Sequence, residues 1–203
     1  MFETFRRKFT KDQVLSPERS AHPTYSEVVD WTNLINEFGG SSFENGLYRV
    51  IRASDLGLWK SRIAGAFPEF GNRITCFGYD WLGRAFAIDS KRLEGGLPGV
   101  IMFEPGTGEA LKMPCNIDSF HNEEIIEYRD AALASNFYNR WISNGGPPPQ
   151  YGQCIGYLKP LFLDGVDELE NLQVTDIDVY WHIMGQFIQK IKGMLPGTSI
   201  NDQ

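Results

Sequence analysis

The sequence predicts an α+β fold in which an antiparallel β-sheet, a meander, packs with N-terminal helices and a helical C-terminal part. Residues 72–114 hold short apolar segments that alternate with turns rich in Gly and Pro, a pattern typical of successive strands. The connections between these segments are too short for the crossover that a parallel pair requires, which favours antiparallel pairing. Apolar residues at helical spacing on both sides of this region predict the flanking helices.

Several short segments have the composition of strands. Residues 47–51 form the first, and the main region contributes residues 74–77, 84–89, 100–103 and 109–113. Residues 80–83 and 105–108 are the expected turns. Small and large side chains alternate along residues 85–89, as expected of a strand with two different faces.

Helices are expected around the first of these strands. Phenylalanines at positions 2, 5 and 9 form one apolar stripe of a short helix. A second helix covers residues 28–38 and ends at the glycine pair 39–40, where glycine tolerates the left-handed conformation. Ser54 is expected to cap a third helix that contains Trp59.

The C-terminal part is expected to be mainly helical. Asn122 is predicted to cap a long helix that continues to Trp141, and the glycines and prolines at positions 145–149 end it. Residues 151–172 are predicted to be irregular, and a last helix is expected from Thr175, its cap, to Met194. The stripe of this helix expected to be buried is Ile177, Tyr180, Trp181, Met184, Phe187, Ile188 and Ile191. The tryptophans expected in the core are Trp59, Trp141 and Trp181.

Charge and composition narrow the possible functions. The 203 residues carry a formal net charge of −7, which disfavours direct binding of nucleic acid, because Lys and Arg supply most of the affinity for phosphates. An acidic surface suits a basic protein partner, and a nuclease is one such partner. The three cysteines show no CxxC pair, and the chain shows no signal peptide and no apolar run long enough for a membrane span. A cytoplasmic protein with reduced thiols is therefore expected.

The sequence shows no constellation of residues that predicts catalysis. The histidines at positions 22, 121 and 182 have neither HxH nor HExxH spacing, so no metal or cofactor is expected. Cys115 lies six residues before His121, but sequence distance does not establish the geometry of a nucleophile and its base. A non-enzymatic protein is the prediction, and a hydrolase assembled from dispersed residues is the alternative.

The strongest feature is an acidic and aromatic segment between positions 151 and 180. It holds six acidic residues and one basic residue, a local charge of −5. Aromatic anchors ringed by carboxylates would suit docking to a basic protein. The predicted partner-binding residues are Tyr151, Tyr157, Phe162, Asp164, Asp167, Glu168 and Glu170. Alternatively, the aromatic side chains pack beneath an acidic loop.

Two sets of motifs resemble known families. Residues 152–157 (GQCIGY), 160–165 (PLFLDG), 171–172 (NL), 179–182 (VYWH) and 185–186 (GQ) resemble the C-terminal domain of type VI secretion DNase-immunity proteins. Asp164 stands where that family often has a second glycine. Residues 38–40 (FGG), 45–48 (NGLY), 77–80 (FGYD) and 103–108 (FEPGTG) resemble the GAD-like domain that commonly precedes it. The resemblance divides the chain into a GAD-like domain over residues 1–114 and an immunity C-terminal-like domain over residues 115–203.

The resemblance implies a function as well as a fold. It implies an immunity protein that binds a cognate type VI secreted DNase toxin and neutralises it in the producing cell, with no cofactor and no turnover. The alternative of another class is a non-catalytic ligand-binding or regulatory module on the same scaffold. The sequence does not choose between covering the toxin's DNA-binding groove and distorting its active site, and it leaves the oligomeric state open.

Overall fold

A six-stranded antiparallel sheet organises the protein, which a computed structural model describes over residues 1–12 and 29–193. Its strands lie side by side in chain order, so each pairs with the next along the sequence. The strands are β1 (Ser42–Phe43), β2 (Tyr48–Val50), β3 (Ile74–Asp80), β4 (Ala85–Glu94), β5 (Leu97–Glu104) and β6 (Glu109–Asn116). The α+β class and the antiparallel meander are confirmed.

The hairpin of β4 and β5 is longer than the sequence pattern indicates. The predicted strand over residues 84–89 continues to Glu94 and turns at Gly95 and Gly96. Both glycines have positive φ, 59° and 83°, a conformation that costs glycine little. The alternation of small and large side chains stops at Asp89, since the strand leaves the core there and exposes Ser90 and Lys91.

The N-terminal helices pack near the start of the sheet. They are α1 (Glu3–Lys8), α2 (Val29–Phe38) and α3 (Leu56–Ala66), with 3-10 turns at Ala53–Asp55 and Pro68–Phe70. The predicted cap of α3 is wrong, because the Ser54 hydroxyl donates to the neighbouring Asp55 carboxylate at 3.2 Å and caps no backbone N–H. Val28, the predicted first residue of α2, lies outside the described residues.

The predicted long helix after the sheet is wrong in its start and its continuity. Asn116 begins the helical region: its Oδ1 accepts from the backbone N–H groups of Asp118 and Ser119, and the Ser119 hydroxyl accepts from its N–H in return. Asn122 lies inside a π-helix instead. A π-turn and the left-handed Ala134 (φ 49°) break the region into short pieces. These are α4 (Ile117–Ser119), the π-helix (Phe120–Glu124), α5 (Ile125–Glu127), α6 (Arg129–Leu133) and α7 (Ser135–Ser143).

A second, two-stranded antiparallel sheet occupies part of the region predicted to be irregular. It consists of β7 (Gln153–Tyr157) and β8 (Leu172–Asp176), and it leads directly into α8 (Ile177–Lys192). The cap of α8 is Asp176 rather than Thr175, because the Asp176 carboxylate accepts from the N–H groups two and three residues later at 2.8 and 3.1 Å. Met194, the predicted end, lies outside the described residues. Among the helices of the described ranges, none is long and apolar enough to cross a membrane.

Tryptophans join the C-terminal elements to the main sheet. The Trp181 indole N–H donates to the carbonyl of Gly83 at 2.9 Å, and its ring packs edge-on against Trp59 of α3. Both rings are fully buried, as predicted. Trp141 is only half-buried, so its assignment to the core is wrong; its N–H bonds the Pro147 carbonyl at 3.0 Å. One apolar core includes residues on both sides of position 114, and the division into two domains there stays a prediction.

We expect Trp181→Ala to lower the free energy of unfolding by about 3–5 kcal/mol, since it removes a fully buried ring and its hydrogen bond. Trp141→Ala, the matched control on a half-buried ring, should cost less than about 2 kcal/mol. Denaturant unfolding followed by circular dichroism measures both. Equal losses from the two variants would contradict the assignment of Trp181 to the joint between α8 and the sheet.

Candidate functional site

The candidate site is the connection between β7 and β8, residues 158–170, here called the acidic loop. Asn171 holds it closed at its base. The Asn171 side chain donates to the carbonyls of Lys159 (2.8 Å) and Val166 (2.9 Å) and accepts from the Lys159 N–H (2.9 Å). The Leu161 N–H reaches across to the Gly106 carbonyl at 3.0 Å, so the loop is also fixed to the turn between β5 and β6. The acidic loop is therefore a shaped surface with defined backbone bonds.

Two of the predicted aromatic anchors lie beneath this loop. Tyr157 is buried, and its hydroxyl donates to the Asp167 carboxylate at 2.6 Å. Phe162 is half-buried and packs on the core against the turn that contains Gly108. The structure thus places both rings in a supporting position, while the carboxylates of the loop project outward.

Tyr151, the third predicted aromatic anchor, lies away from the acidic loop at the opposite end of β7. A strand of this length separates the two ends by about 17 Å. The Tyr151 hydroxyl accepts from the Arg52 N–H at 3.0 Å and donates to Asp55 at 2.8 Å, and the Arg52 guanidinium stacks over its ring. These contacts join the C-terminal part to the segment before α3, so the structure does not bring Tyr151 together with the other predicted residues.

The four predicted acidic residues lie on the outer face of the loop. All of them are exposed: Asp164, Asp167, Glu168 and Glu170. Glu168 also forms an ion pair with Arg140 of α7 at 2.6 Å, an exposed contact that contributes about 1 kcal/mol or less. The loop therefore carries a concentrated negative charge, although Asp167 also bonds Tyr157 and Glu168 also pairs with Arg140.

Sequence reasoning missed two apolar residues of the same loop. Leu158 is 55% exposed and Val166 is 50% exposed, so the loop presents aliphatic side chains among its carboxylates. An apolar centre with charged neighbours is the usual composition of a protein-binding surface. The available signal was weak, because one residue directly follows an apolar strand and the other stands alone between glycine and aspartate.

The turn at Asp164 and Gly165 explains the family difference noted at this position. Asp164 has φ 60°, in the left-handed region that glycine adopts freely and that Asp tolerates better than most residues. At Gly165 an added Cβ would lie 2.1 Å from the Lys159 carbonyl oxygen, so only glycine fits. Aspartate is therefore compatible with the turn at the first position and adds a charge to the loop.

A cleft of about 360 Å³ lies beside the acidic loop and shares Asp167 with it. At its wall the Arg84 guanidinium donates to the buried Asp80 carboxylate at 2.6 Å, which leaves little of the arginine's charge uncompensated. Burial raises the pKa of the Glu104 carboxyl, which also lines the cleft, although nearby Arg84 opposes this shift. The exposed carboxylates of Asp130 and Asp167 extend the negative surface of the loop to the cleft.

The Cys115–His121 pair does not form a catalytic arrangement. His121 is buried, its Nδ1 donates to the Ile117 carbonyl at 2.7 Å, and its Nε2 is 2.9 Å from the Tyr48 hydroxyl. A carbonyl only accepts, so Nε2 is the unprotonated nitrogen and accepts from Tyr48. Aromatic rings surround the imidazole: Phe2, Phe5, Tyr48, Phe77 and Phe120. Both nitrogens are thus engaged by groups other than the thiol.

The thiols are buried and protonated in the folded protein. Cys76, Cys115 and Cys154 are free cysteines. Burial raises the pKa of Cys76 and of Cys115 to about 12, far above the range in which a thiolate forms. Over residues 1–12 and 29–193, no group of three or more His, Cys, Asp or Glu side chains could hold a metal ion.

Comparisons with known proteins identify a family that matches part of this sequence. Residues 116–188 match the sequence family described as T6SS immunity protein Tdi1, C-terminal, and this range includes the acidic loop and most of α8. The resemblance to type VI secretion immunity proteins is confirmed by this match. No curated protein sequence matches the chain. A solved structure, that of Atu4351 from Agrobacterium tumefaciens, shares the fold with a TM-score of 0.55 and 15% identity, over 92% of this chain and 89% of that one.

The buried imidazole gives the protein a defined pH dependence. Burial lowers the pKa of His121 to about 4 from 6.5, although the bond to Ile117 opposes the shift. The unfolded chain therefore binds a proton that the folded chain excludes, so stability falls as pH drops from about 6.5 towards 4. From pH 7 to about pH 5 this imidazole should remove about 2 kcal/mol from the free energy of unfolding.

The variant His121→Phe separates the pH dependence of stability caused by the imidazole from the pH dependence caused by the carboxylates. The variant loses two hydrogen bonds and some stability at every pH, but it should lack the decline that the imidazole causes. Urea unfolding at several pH values gives the two slopes. The same slope in both proteins would mean that His121 takes up a proton in the folded state.

Proposed function

We propose that this chain, whose residues 116–188 match the family described as T6SS immunity protein Tdi1, C-terminal, binds a cognate secreted toxin and neutralises it in the producing cell. The family match is the observation that carries the proposal. The partner is a protein, and inhibition is by non-covalent binding in the cytoplasm. The toxin proposed is a DNase, as the resemblance of both halves of the sequence implies.

The acidic loop is the proposed docking surface. It lies within the matched range and combines carboxylates on its outer face with exposed Leu158 and Val166. A DNase grips phosphates with Lys and Arg, so its substrate groove is basic and complementary to such a surface. Bonds from Asn171 and Tyr157 hold the loop in one shape, which reduces the entropy lost when a partner binds.

The arrangement around His121 supports a protein without catalytic activity. A nucleophilic cysteine needs a neighbouring base that can take its proton. His121 bonds Tyr48 and Ile117 instead, and burial keeps the Cys115 thiol protonated. The hydrolase alternative therefore loses the pair of residues on which it depended, and inhibition is proposed to rest on surface complementarity.

Co-expression with the product of the adjacent toxin gene tests the proposal. We expect the two proteins to purify together, and cells producing the toxin should survive only when this chain is present. A complex with a different protein and no protection would favour a free-standing binding or regulatory module. Protection that requires Cys115 or His121 for turnover of a substrate would favour the hydrolase.

Charge reversal on the loop should slow association with the toxin. Glu168→Lys with Glu170→Lys changes the charge by four units and spares Asp167, which bonds Tyr157. The association rate should fall about tenfold or more at low salt and should depend less on ionic strength. Glu3→Lys with Glu123→Lys, the same charge change on exposed residues outside the loop, is the control. Stopped-flow or biosensor kinetics that show equal rates for the two double variants would exclude the loop as the docking surface.

The apolar residues of the loop should govern dissociation instead. Leu158→Ala with Val166→Ala is expected to raise the dissociation rate about fivefold or more, because these exposed side chains would be buried in the complex. Leu93→Ala is the control, since Leu93 is also exposed but belongs to β4. Dissociation measured by competition should be unchanged in the control. An equal effect of Leu93→Ala would show that the toxin does not centre on the loop.

A further inference from the structure

Helix α8 has a second apolar stripe that nothing in the described chain covers. Its buried stripe packs on α3 and the sheet, and includes Trp181 and Met184. Val179, Ile183 and Phe187 lie at i, i+4 and i+8 on another face, and they are 51%, 42% and 38% exposed. The prediction that Phe187 belongs to the buried stripe is therefore wrong. Within residues 1–12 and 29–193, only the buried stripe has a partner, and an exposed apolar patch of this kind is typical of an interaction site.

A groove of about 870 Å³ lies between α8 and α3, beside the first two residues of this stripe. Val179 and Ile183 border it on the α8 side, and Ser61 and Gly65 line it on the α3 side. A Cβ added at Gly65 would meet no atom within 4 Å, so this side of the groove is open. Leu58 and Arg62 complete the α3 side, and Arg62 forms an ion pair with Asp178 of α8 at 2.6 Å. Ser61 and Gly65 leave room between these larger side chains for side chains of a second helix.

The charges at the two ends of the stripe are opposite. At about 100° per residue, Lys190 lies within about 20° of Ile183 around the helix axis. Asp176, the N-cap, stands just before the first turn, where its Oδ1 accepts from the N–H groups of Asp178 and Val179. Asp176 and Lys190 are both exposed. From Asp176 to Lys190 the exposed residues are one acidic, three apolar and one basic. They are separated by three, four, four and three positions, which is the spacing of residues along the contact of two paired helices.

We propose that this face binds a second copy of the chain through an antiparallel pair of α8 helices, related by a two-fold axis at Ile183. The sequence is self-complementary about that position. Val179 of each copy meets Phe187 of the other, Ile183 meets Ile183, and each Asp176 carboxylate meets the other copy's Lys190. A two-fold interface requires this kind of self-complementary patch. The small residues of α3 then receive side chains of the second copy in the groove.

Charge argues for a second copy over the toxin as the occupant. A basic protein would find Asp176 attractive and Lys190 repulsive at the two ends of this stripe. An antiparallel second copy pairs both charges, because the acidic end of each helix lies against the basic end of the other. The two helix dipoles are then antiparallel, which is also favourable. The acidic loop follows β7 and is not among the residues of the groove, so dimerisation leaves it available to a partner.

Disulfide trapping tests the proposed register directly. Ile183→Cys lies on the axis and should form a covalent dimer under mild oxidation, since the natural cysteines are buried and do not compete. Val179→Cys alone should not, because the two copies of that residue would lie about 12 Å apart along the helices. Adding Phe187→Cys to Val179→Cys should restore the covalent dimer. Trapping by Val179→Cys alone, or no trapping by Ile183→Cys, would overturn this register.

Sedimentation of the unmodified protein supplies the second measurement. The natural chain should show a concentration-dependent dimer, and Ile183→Lys should weaken dimerisation about tenfold or more without lowering the unfolding midpoint. Val166→Lys, at an equally exposed position of the acidic loop, should leave dimerisation unchanged. A monomer at all concentrations overturns the proposal. Loss of toxin binding in Ile183→Lys, without any dimer in the natural chain, would assign the groove to the toxin.

Discussion

The joint between the turn of β3 and β4 and the C-terminal elements determines the rest of the structure. The Trp181 indole bonds the Gly83 carbonyl at 2.9 Å, and the Ile155 N–H bonds the Trp81 carbonyl at 2.6 Å. Gly83 has φ 77°, and an added Cβ there would lie 3.0 Å from the Cys154 sulfur, so the turn admits close packing that a larger residue would prevent. One turn thereby fixes both β7 and α8 against the main sheet.

The consequences of this joint reach both proposed surfaces. With β7 and α8 fixed, the acidic loop projects from the end of the small sheet with its carboxylates outward. The inner face of α8 packs on Trp59 and the core, and no element of the described residues covers its outer face. The two surfaces carry different chemistry: one is anionic with an aliphatic centre, and the other is apolar with opposite charges at its ends. Different chemistry favours different partners.

The sequence predicted those parts of the fold that depend on residues close together in the chain. The order of the strands in residues 72–114 and the turns at residues 80–83 and 105–108 follow from nearby glycines and side-chain pattern and were predicted correctly, while the extension of β4 to Glu94 was not. The broken helix after β6 was not, because the break at Ala134 and the π-turn after Ser119 follow from tertiary packing rather than propensity. β7 and β8 pair across fourteen intervening residues and are short, so their pairing left little periodic signal.

In the candidate site, too, some features could be predicted from the sequence and others depend on tertiary packing. Carboxylates are visible in the sequence, and the structure exposes those of residues 164–170 in one loop. Whether an aromatic ring lies on a surface or under it depends on contacts such as the bond between Tyr157 and Asp167, which sequence does not reveal. The exposed Leu158 and Val166 were missed for the same reason. Burial is set by the whole fold, while charge is a property of each residue.

Titration of the toxin encoded beside this chain with the purified protein tests the central claim most directly, with cleavage of plasmid DNA as the readout. Cleavage should fall in proportion to the protein added and stop near one equivalent, while the protein alone leaves DNA intact. Full cleavage in the presence of excess protein would contradict the account.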